Sequence, residues 1–282
     1  MKLRNPNAEI FVPDGKQIEE ALSRTTHMAI AAHQDDIEIM AFHGILQCFG
    51  QDDKWFLGVV VTDGAGSPRD DLYAKYTDED MKKVRKLEQK KAAYVGEYGA
   101  VALLDYTSSA VKDSKNADVA NEIAELIKAS TPKYIYTHNL ADKHDTHVSV
   151  ALRTIAALRQ LPQEYHPEKL YGCEVWRGLD WVNDDEKVLF DVSQHQNIAA
   201  AVLGVHDSQI CGGKRYDLAT AGRRLANATY AESHGTDKAT SLIYGIDLTP
   251  LIKDATLDIN EYIQGYISRF GRDVSNRLKR LV

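Results

Sequence analysis

Two short stretches hold most of the side chains able to grip a cation: His33-Gln34-Asp35-Asp36 and His144-Asp145-Thr146-His147. A hydrolytic zinc needs three protein ligands and an open position for water. His33, Asp36 and His147 supply two imidazoles and one carboxylate. Asp35 points differently from Asp36 and is free to contact the water on the metal. Zinc brings the pKa of such a water toward ~7, and an adjacent carboxylate takes its proton as general base. His144 precedes His147 by about one helical turn, so both can face one cavity. As an imidazolium, His144 would stabilise a tetrahedral oxyanion and protonate a leaving amine. Each stretch alone has a plainer reading. A lone His-x-x-His on a helix is more often a surface pair, and paired aspartates often serve as a helix cap and a first-turn charge. Their joint occurrence at two separate strand ends weighs toward a site, and from spacing alone the two readings are evenly balanced.

The elements around these stretches give them a place. Met28–Ala32 is a compact apolar run that stops at the His33 cluster, as a buried parallel strand does. Ile37 to Phe49 keeps a helical spacing and is closed by Gly50. Trp55–Val61 is a second strand that runs into the turn-rich Thr62–Ser67. Thr77-Asp78-Glu79-Asp80 resembles a capping box ahead of a helix carrying Met81, Val84, Leu87, Ala92 and Val95. Val101–Leu104 is a third strand ending at Asp105, Val119–Ala129 a helix, and Tyr134–Thr137 a fourth strand. The helix beyond His147 places Val148, Ala151, Leu152, Ile155 and Leu158 on one face. Strand and helix thus alternate four times, the pattern of an open parallel α/β sheet with right-handed crossovers. Ligands of such sheets bind outside the carboxyl ends of the strands, which is where His33–Asp36, Thr62–Gly64, Asp105 and His138–His147 fall. A dinucleotide fold would place glycines after the first strand. Two carboxylates there would repel a phosphate and attract a cation.

Beyond Pro162 the rhythm loosens. Strands are expected at Leu170–Val175 and Lys187–Phe190, helices at Asn197–His206 and Tyr216–Glu232, and a final amphipathic helix over about Leu257–Leu281. The organisation expected is an N-terminal extension over 1–25, a catalytic domain over 26–235, and a C-terminal extension over 236–282.

The chain has 282 residues, 44% hydrophobic and 27% charged, with a net charge of −7, so nothing basic is available to coat a nucleic-acid backbone. No apolar run reaches the roughly 18–20 residues of a membrane span, and the N-terminus lacks the apolar stretch of a secretory signal. A cytoplasmic protein is the expectation. The three cysteines form no C-x-x-C pair, so a metal would need histidine and carboxylate ligands.

His33-Gln34-Asp35-Asp36-Ile37-Glu38 resembles the A-H-P-D-D-x-E signature of the LmbE-like, or PIG-L, deacetylases. The likeness extends to Thr62–Ser67, to Arg85 and Glu88 with Ala92-Ala93, to Asp142–His147, to Val205–Gln209 and to Tyr230-Ala231-Glu232. It implies a Rossmann-like α/β fold with helices on both faces and a C-terminal α/β elaboration. It implies removal of an acetyl group from an N-acetylated sugar conjugate or similar small amide, through zinc-bound water activated by Asp35. Carried over residue by residue, it implies His33, Asp36 and His147 as ligands, Asp35 as base, His144 as acid, and Arg69 and Asp105 as sugar contacts. A solvated loop charge is an equal reading of Arg69. Zinc is the expected ion, although iron, cobalt or manganese would also suit this donor set. The partner is then a small N-acetylated molecule, and a homo-oligomer is compatible with the sequence. Two positions depart from the signature: Gln34 stands where the family has proline, and Thr146 where it has the aspartate that orients the acid. The alternatives are hydrolysis of another small amide, or a sugar-binding protein weakened in turnover.

Overall fold

The computed structural model describes Met1 and residues 3–282. Eight strands form one sheet: β1 (Glu9–Phe11), β2 (Thr25–Ala31), β3 (Trp55–Thr62), β4 (Ala100–Tyr106), β5 (Tyr134–His138), β6 (Lys169–Cys173), β7 (Val188–Asp191) and β8 (Leu242–Asp247), in the spatial order β1-β4-β3-β2-β5-β6-β8-β7. The middle of the sheet, β4-β3-β2-β5-β6, is parallel throughout. It is the alternating pattern expected from the sequence. The edges are not: β1 lies antiparallel on β4, and β8 lies antiparallel between β6 and β7. The sheet is therefore mixed, with a parallel core and antiparallel borders. Both β1 and β8 come from the segments read as extensions, and both belong to the one sheet.

Every residue of β2 except Thr26 is buried, because successive side chains feed two different cores. Met28 and Ile30 pack with Ile123, Ile127, Ile155 and Leu158 on one face. Ala29 and Ala31 pack with Ile37, Phe42, Ile45 and Phe56 on the other. The expected helix over 37–49 is two helices, Asp36–Met40 and Phe42–Cys48, broken at Ala41, whose backbone leaves the helical region at φ −118°, ψ 19°. The capping box is formed: the Thr77 side chain accepts from the Asp80 N–H, and the Asp80 side chain accepts from the Thr77 N–H. The helix Asp145–Gln160 follows β5, and its N-cap residue is His144.

The strand order decides the site. β2 is bonded to β5 in parallel, with Ala29 opposite Tyr136, and the Thr137 hydroxyl donates to the Ile30 carbonyl at 2.9 Å. The two strands end side by side, so His33–Asp36 and the loop leading to His147 open onto the same edge of the sheet.

Candidate active site

At that edge three donor atoms converge. His33 Nδ1 lies 3.1 Å from His147 Nε2 and 3.2 Å from Asp36 Oδ2. His147 Nε2 and Asp36 Oδ2 are 3.3 Å apart. Metal–nitrogen and metal–oxygen bonds of about 2.0–2.1 Å in a tetrahedron give donor–donor edges of about 3.3 Å. The triangle therefore fits one small divalent cation.

The triangle is braced from behind. The His33 backbone N–H donates to Asp36 Oδ2 at 2.8 Å, so the carboxylate is aimed by its own loop. Asp142 Oδ2 lies 3.6 Å from His147 Nδ1, the ring nitrogen opposite the triangle. Asp142 is itself fixed by the N–H groups of His144 at 2.9 Å and Trp176 at 3.1 Å. An acid behind a ligand imidazole sets its tautomer and raises its basicity. Asp36 is held well below the ordinary carboxylate range: burial opposes its charge, but His147, His33 and His138 more than offset that. Burial works against His147 as well, yet Asp36 and Asp142 lift it above its ordinary value.

His138 and His144 are competitors for the same ion, since Asp36, His138 and His147 form a compact buried group and His33, His144 and His147 form another. Of the two, His138 is the more deeply buried. Its Nε2, however, accepts the Ala32 backbone N–H at 2.8 Å. With that lone pair engaged, the ring is neutral and packs face to face on His147, centroids 4.0 Å apart. Burial holds its pKa well below the usual value. His138 is thus a histidine packed at the end of its strand.

Asp35 is the N-cap of helix Asp36–Met40 and adopts φ +82°, ψ −30°, a left-handed backbone that is costly for a residue with a Cβ. Arg85 keeps it there, donating to the Gln34 carbonyl and lying 3.4 Å from Asp35 Oδ2, while the Asp35 N–H donates to Gln89 Oε1 at 3.3 Å. Burial, helped by the charge of Asp36, raises the Asp35 pKa to about 7 against the pull of Arg85. Adjacent carboxylates driven in opposite directions are the usual mark of divided roles. Gly64, at φ +74°, leaves room for this arrangement, because a Cβ there would stand 2.6 Å from Gln34 Oε1 and 3.2 Å from the Arg85 side chain.

His144 meets the His33 ring edge-on at 5.1 Å between centroids and tilts against His147 at 4.6 Å. Its Nδ1 is buried without a hydrogen-bond partner. Asp145, the carboxylate nearest to it in sequence, is exposed, and buried Thr146 occupies the position next to His147. Burial and the two neighbouring imidazoles lower the His144 pKa.

These residues open into a cavity of about 420 Å³ lined by His33, Asp35, Asp36, His144, Arg85, Lys112, Lys214, Trp176 and Tyr216 among others. Trp176, Lys214 and Tyr216 also wall an adjoining hollow of about 190 Å³ that continues over Ile39, Val175 and Ala219. Five of the seven residues singled out from the sequence thus meet in one place. Arg69 and Asp105 do not line the cavity. The Arg69 guanidinium is spent on the Ala65 and Tyr76 carbonyls and on Asp78. Asp105 pairs with Lys86 at 2.8 Å and lies beside the N-terminal segment. Conversely, Lys112, Trp176, Lys214 and Tyr216 carried no signal in the sequence. They come from loops and helix ends that only the fold draws to the sheet edge. Asp142 lay inside a recognised motif, but its partnership with His147 depends on the turn before helix Asp145–Gln160.

A second polar layer seals the floor. Glu38 is fully buried and accepts from Gln89 at 2.8 Å and Tyr98 at 2.6 Å, with His206 Nε2 at 3.1 Å from its other oxygen. Glu88 accepts from both the N–H and the hydroxyl of Ser208 at 2.7 Å. The Arg85/Glu88 helix and the Val205–Gln209 segment, separately weak motifs in the sequence, thus form one network under the site.

Residues 28–158 match the family described as PIG-L: GlcNAc-PI de-N-acetylase. No curated protein matches the chain. Among solved structures, N,N'-diacetylchitobiose deacetylase from Pyrococcus horikoshii is similar at 12% identity and a TM-score of 0.64, over 88% of this chain and 92% of that one. GalB, the 4-carboxy-2-hydroxymuconate hydratase of Pseudomonas putida KT2440, is similar at 16% identity and a TM-score of 0.62, over 83% and 99%. The A40926 pseudoaglycone deacetylase Dbv21 is similar at 16% identity and a TM-score of 0.57, over 79% and 97%. At these identities the likeness establishes the shared fold.

Proposed function

Residues 28–158 belong to the PIG-L (LmbE-like) family, and from that premise we propose that the chain is a metal-dependent N-deacetylase of a small N-acetylated substrate, a sugar conjugate by preference. The observation that carries the reading is the His33–Asp36–His147 triangle, with edges of 3.1–3.3 Å, beside the Asp35 carboxylate, which lies outside it.

In this reading His33, Asp36 and His147 hold one divalent ion, zinc first among the candidates for two imidazoles and a carboxylate. When bound, the ion supplies Lewis acidity, acidifying a water and polarising the acyl oxygen. The remaining work falls to the chain. Asp35, buried and raised in pKa, takes the proton of the attacking water. His144 stands over the His33 and His147 rings at the cavity wall, placed to hydrogen-bond the oxyanion and to pass a proton to the leaving nitrogen. Arg85 holds Asp35 in its left-handed backbone and balances its charge. Lys112 and Lys214 at the lining favour a substrate bearing an anionic group, and the Trp176–Tyr216 wall offers an apolar surface for its non-reacting part.

The test is amine release from a panel of N-acetylated sugars and other small amides by protein loaded with zinc, cobalt, iron or manganese. Turnover of at least one member, lost in His147→Ala, is the expected result. Because one protein of the same fold is a hydratase, the panel includes unsaturated carboxylates. Turnover there, with none on any amide, would replace the deacetylase reading.

A further inference from the structure

The last helix, Ile259–Leu281, is anchored by only half its length. Tyr262 donates to the Asp247 carbonyl at 2.6 Å, Ile263 and Tyr266 are buried, and Arg269 pairs with Glu186. Every residue from Gly271 onward is exposed. A half-helix without tertiary contacts gains little from helical propensity alone, since most helix stability in proteins comes from packing an apolar face. This half does carry such a face. Val274, Leu278 and Leu281 are 39%, 60% and 73% exposed. They continue, at helical spacing, the face formed by Asn260, Ile263 and Ile267 in the anchored half.

That anchored part of the face lines an open groove of about 480 Å³, closed on its other side by Leu140, Val148 and Leu152. The helix therefore bears an exposed apolar half that lacks a groove and an anchored half beside a groove that lacks an occupant. We propose that the two match between two copies of this chain, the helices Ile259–Leu281 packing antiparallel about a twofold axis near residues 270 and 271.

The register follows from the stripe. An axis between 270 and 271 brings Val274 onto the partner's Ile267, Leu278 onto the partner's Ile263, and Leu281 beside the partner's Asn260. Gly271 falls at the crossing, where a Cβ would meet nothing within 4 Å in one chain and where its absence lets two helices approach closely. Charge agrees with the antiparallel sense. The helix begins with Asp258 and Glu261 and ends with Arg277, Lys279 and Arg280, so an antiparallel pair sets the acidic start of one copy near the basic end of the other. A parallel pair would stack the basic ends together. The arrangement is isologous, as a twofold dimer requires. The same basic, apolar half-helix has features of a segment that lies on an anionic lipid surface, but a bilayer would leave the groove beside Val148 and Leu152 unfilled.

The experiment uses the full chain. Size-exclusion chromatography with light scattering is expected to give twice the chain mass, and Leu278→Glu, with its thermal unfolding still cooperative, one chain mass. Register is tested by Ile267→Cys/Val274→Cys in a Cys211→Ser background. Within one helix these positions are about 10 Å apart along the axis, too far for a disulfide, so oxidation yields a covalent dimer only if the predicted facing occurs. Asn276→Cys in the same background points away from the stripe and is expected to stay uncrosslinked. A monomeric wild-type chain overturns the proposal. So does a dimer that survives Leu278→Glu without the double-cysteine crosslink. A monomer that cosediments with phosphatidylserine vesicles overturns it in favour of the lipid surface.

Discussion

Asp142 sets a carboxylate oxygen 3.6 Å from Nδ1 of His147, while the other nitrogen of the same ring stands 3.1 Å from His33. One imidazole thus links a buried acid to the donor triangle, and the quality of the triangle depends on a residue that does not touch it. Asp142→Asn keeps the size and one of the two backbone contacts, because only its amide oxygen can accept, and removes the charge behind the ring. Metal affinity is expected to fall by roughly 10–100-fold, read by competition with a chromophoric chelator, with thermal stability of the metal-free chain changed far less. Unchanged affinity would show that His147 needs no such support.

Asp35 is the residue whose loss should separate binding from chemistry. Asp35→Asn retains the side-chain shape that fits φ +82° and the Gln89 contact, but it cannot accept a proton. The expected outcome is a full complement of metal with kcat reduced by about 10²-fold or more. His33→Ala and His147→Ala should instead lose the metal. A fully active Asp35→Asn would remove the carboxylate from the mechanism and leave only its structural role at the helix cap.

Glu38 offers a stability test independent of catalysis. It has no solvent exposure, and Gln89, Tyr98 and His206 all meet its carboxylate. Truncation to alanine leaves those groups buried without a partner, which typically costs about 3–5 kcal/mol for a charged network. Urea unfolding should register that loss, and Glu38→Gln should recover part of it by keeping one acceptor. A cost below about 1 kcal/mol would mean that the network relaxes or takes up water.

His27 supplies the pH dependence. Burial, then repulsion from His43, lowers its pKa from the ordinary 6.5 to about 4. The unfolded chain therefore binds a proton that the folded chain refuses between these values, and stability falls as pH drops through that window. Above 6.5 the contribution is fully present, and below about 4 no more is lost. The whole effect is at most about 3 kcal/mol. The difference in unfolding free energy between wild type and His27→Phe, which preserves stacking on Tyr134 at 4.9 Å, should shrink or reverse in favour of the variant between pH 7 and 4.5. A difference independent of pH would show that His27 is charged in the fold or hydrated.

How much of this was readable beforehand differs by element. The parallel core strands announce themselves because both faces are buried, so Met28–Ala32 and Trp55–Val61 are unbroken apolar runs. The short edge strand Glu9–Phe11 is only half-buried, and Leu242–Asp247 contains a Gly and ends in an Asp. Glu9–Phe11 shows neither a run nor an alternation, whereas Leu242–Ile246 is apolar with one Gly, as Trp55–Val61 is, but falls where the strand–helix rhythm has lapsed. In the site, the donor triangle was legible because its ligands sit at the ends of two strong strands. The cavity wall was not. Trp176 and Tyr216 lie 40 residues apart, in a segment where the strand–helix rhythm has already lapsed, yet their rings stand 5.9 Å apart. Arg69 illustrates the opposite failure: a charged side chain in the right loop whose hydrogen bonds turn it back on its own backbone.

The hollow beside that wall gives the sharpest test of substrate choice. Ala219 lines it together with Ile39, Val175 and Tyr216, and Ala219 belongs neither to the main cavity nor to the donor triangle. Ala219→Trp would fill much of the roughly 190 Å³ hollow while leaving His33, Asp35, Asp36, His144 and His147 untouched. If the apolar part of the substrate rests there, kcat/KM for a conjugate with a bulky apolar group should drop by about 10–100-fold, the value of about 1.4–2.7 kcal/mol of lost burial. The smallest N-acetylated substrate should be hydrolysed as before. The split belongs mainly in KM, because the contact is made equally in the ground state and the transition state. An equal loss on both substrates would mean that the variant disturbs Trp176 and the cavity as a whole. No loss on either would place the apolar group elsewhere along the lining.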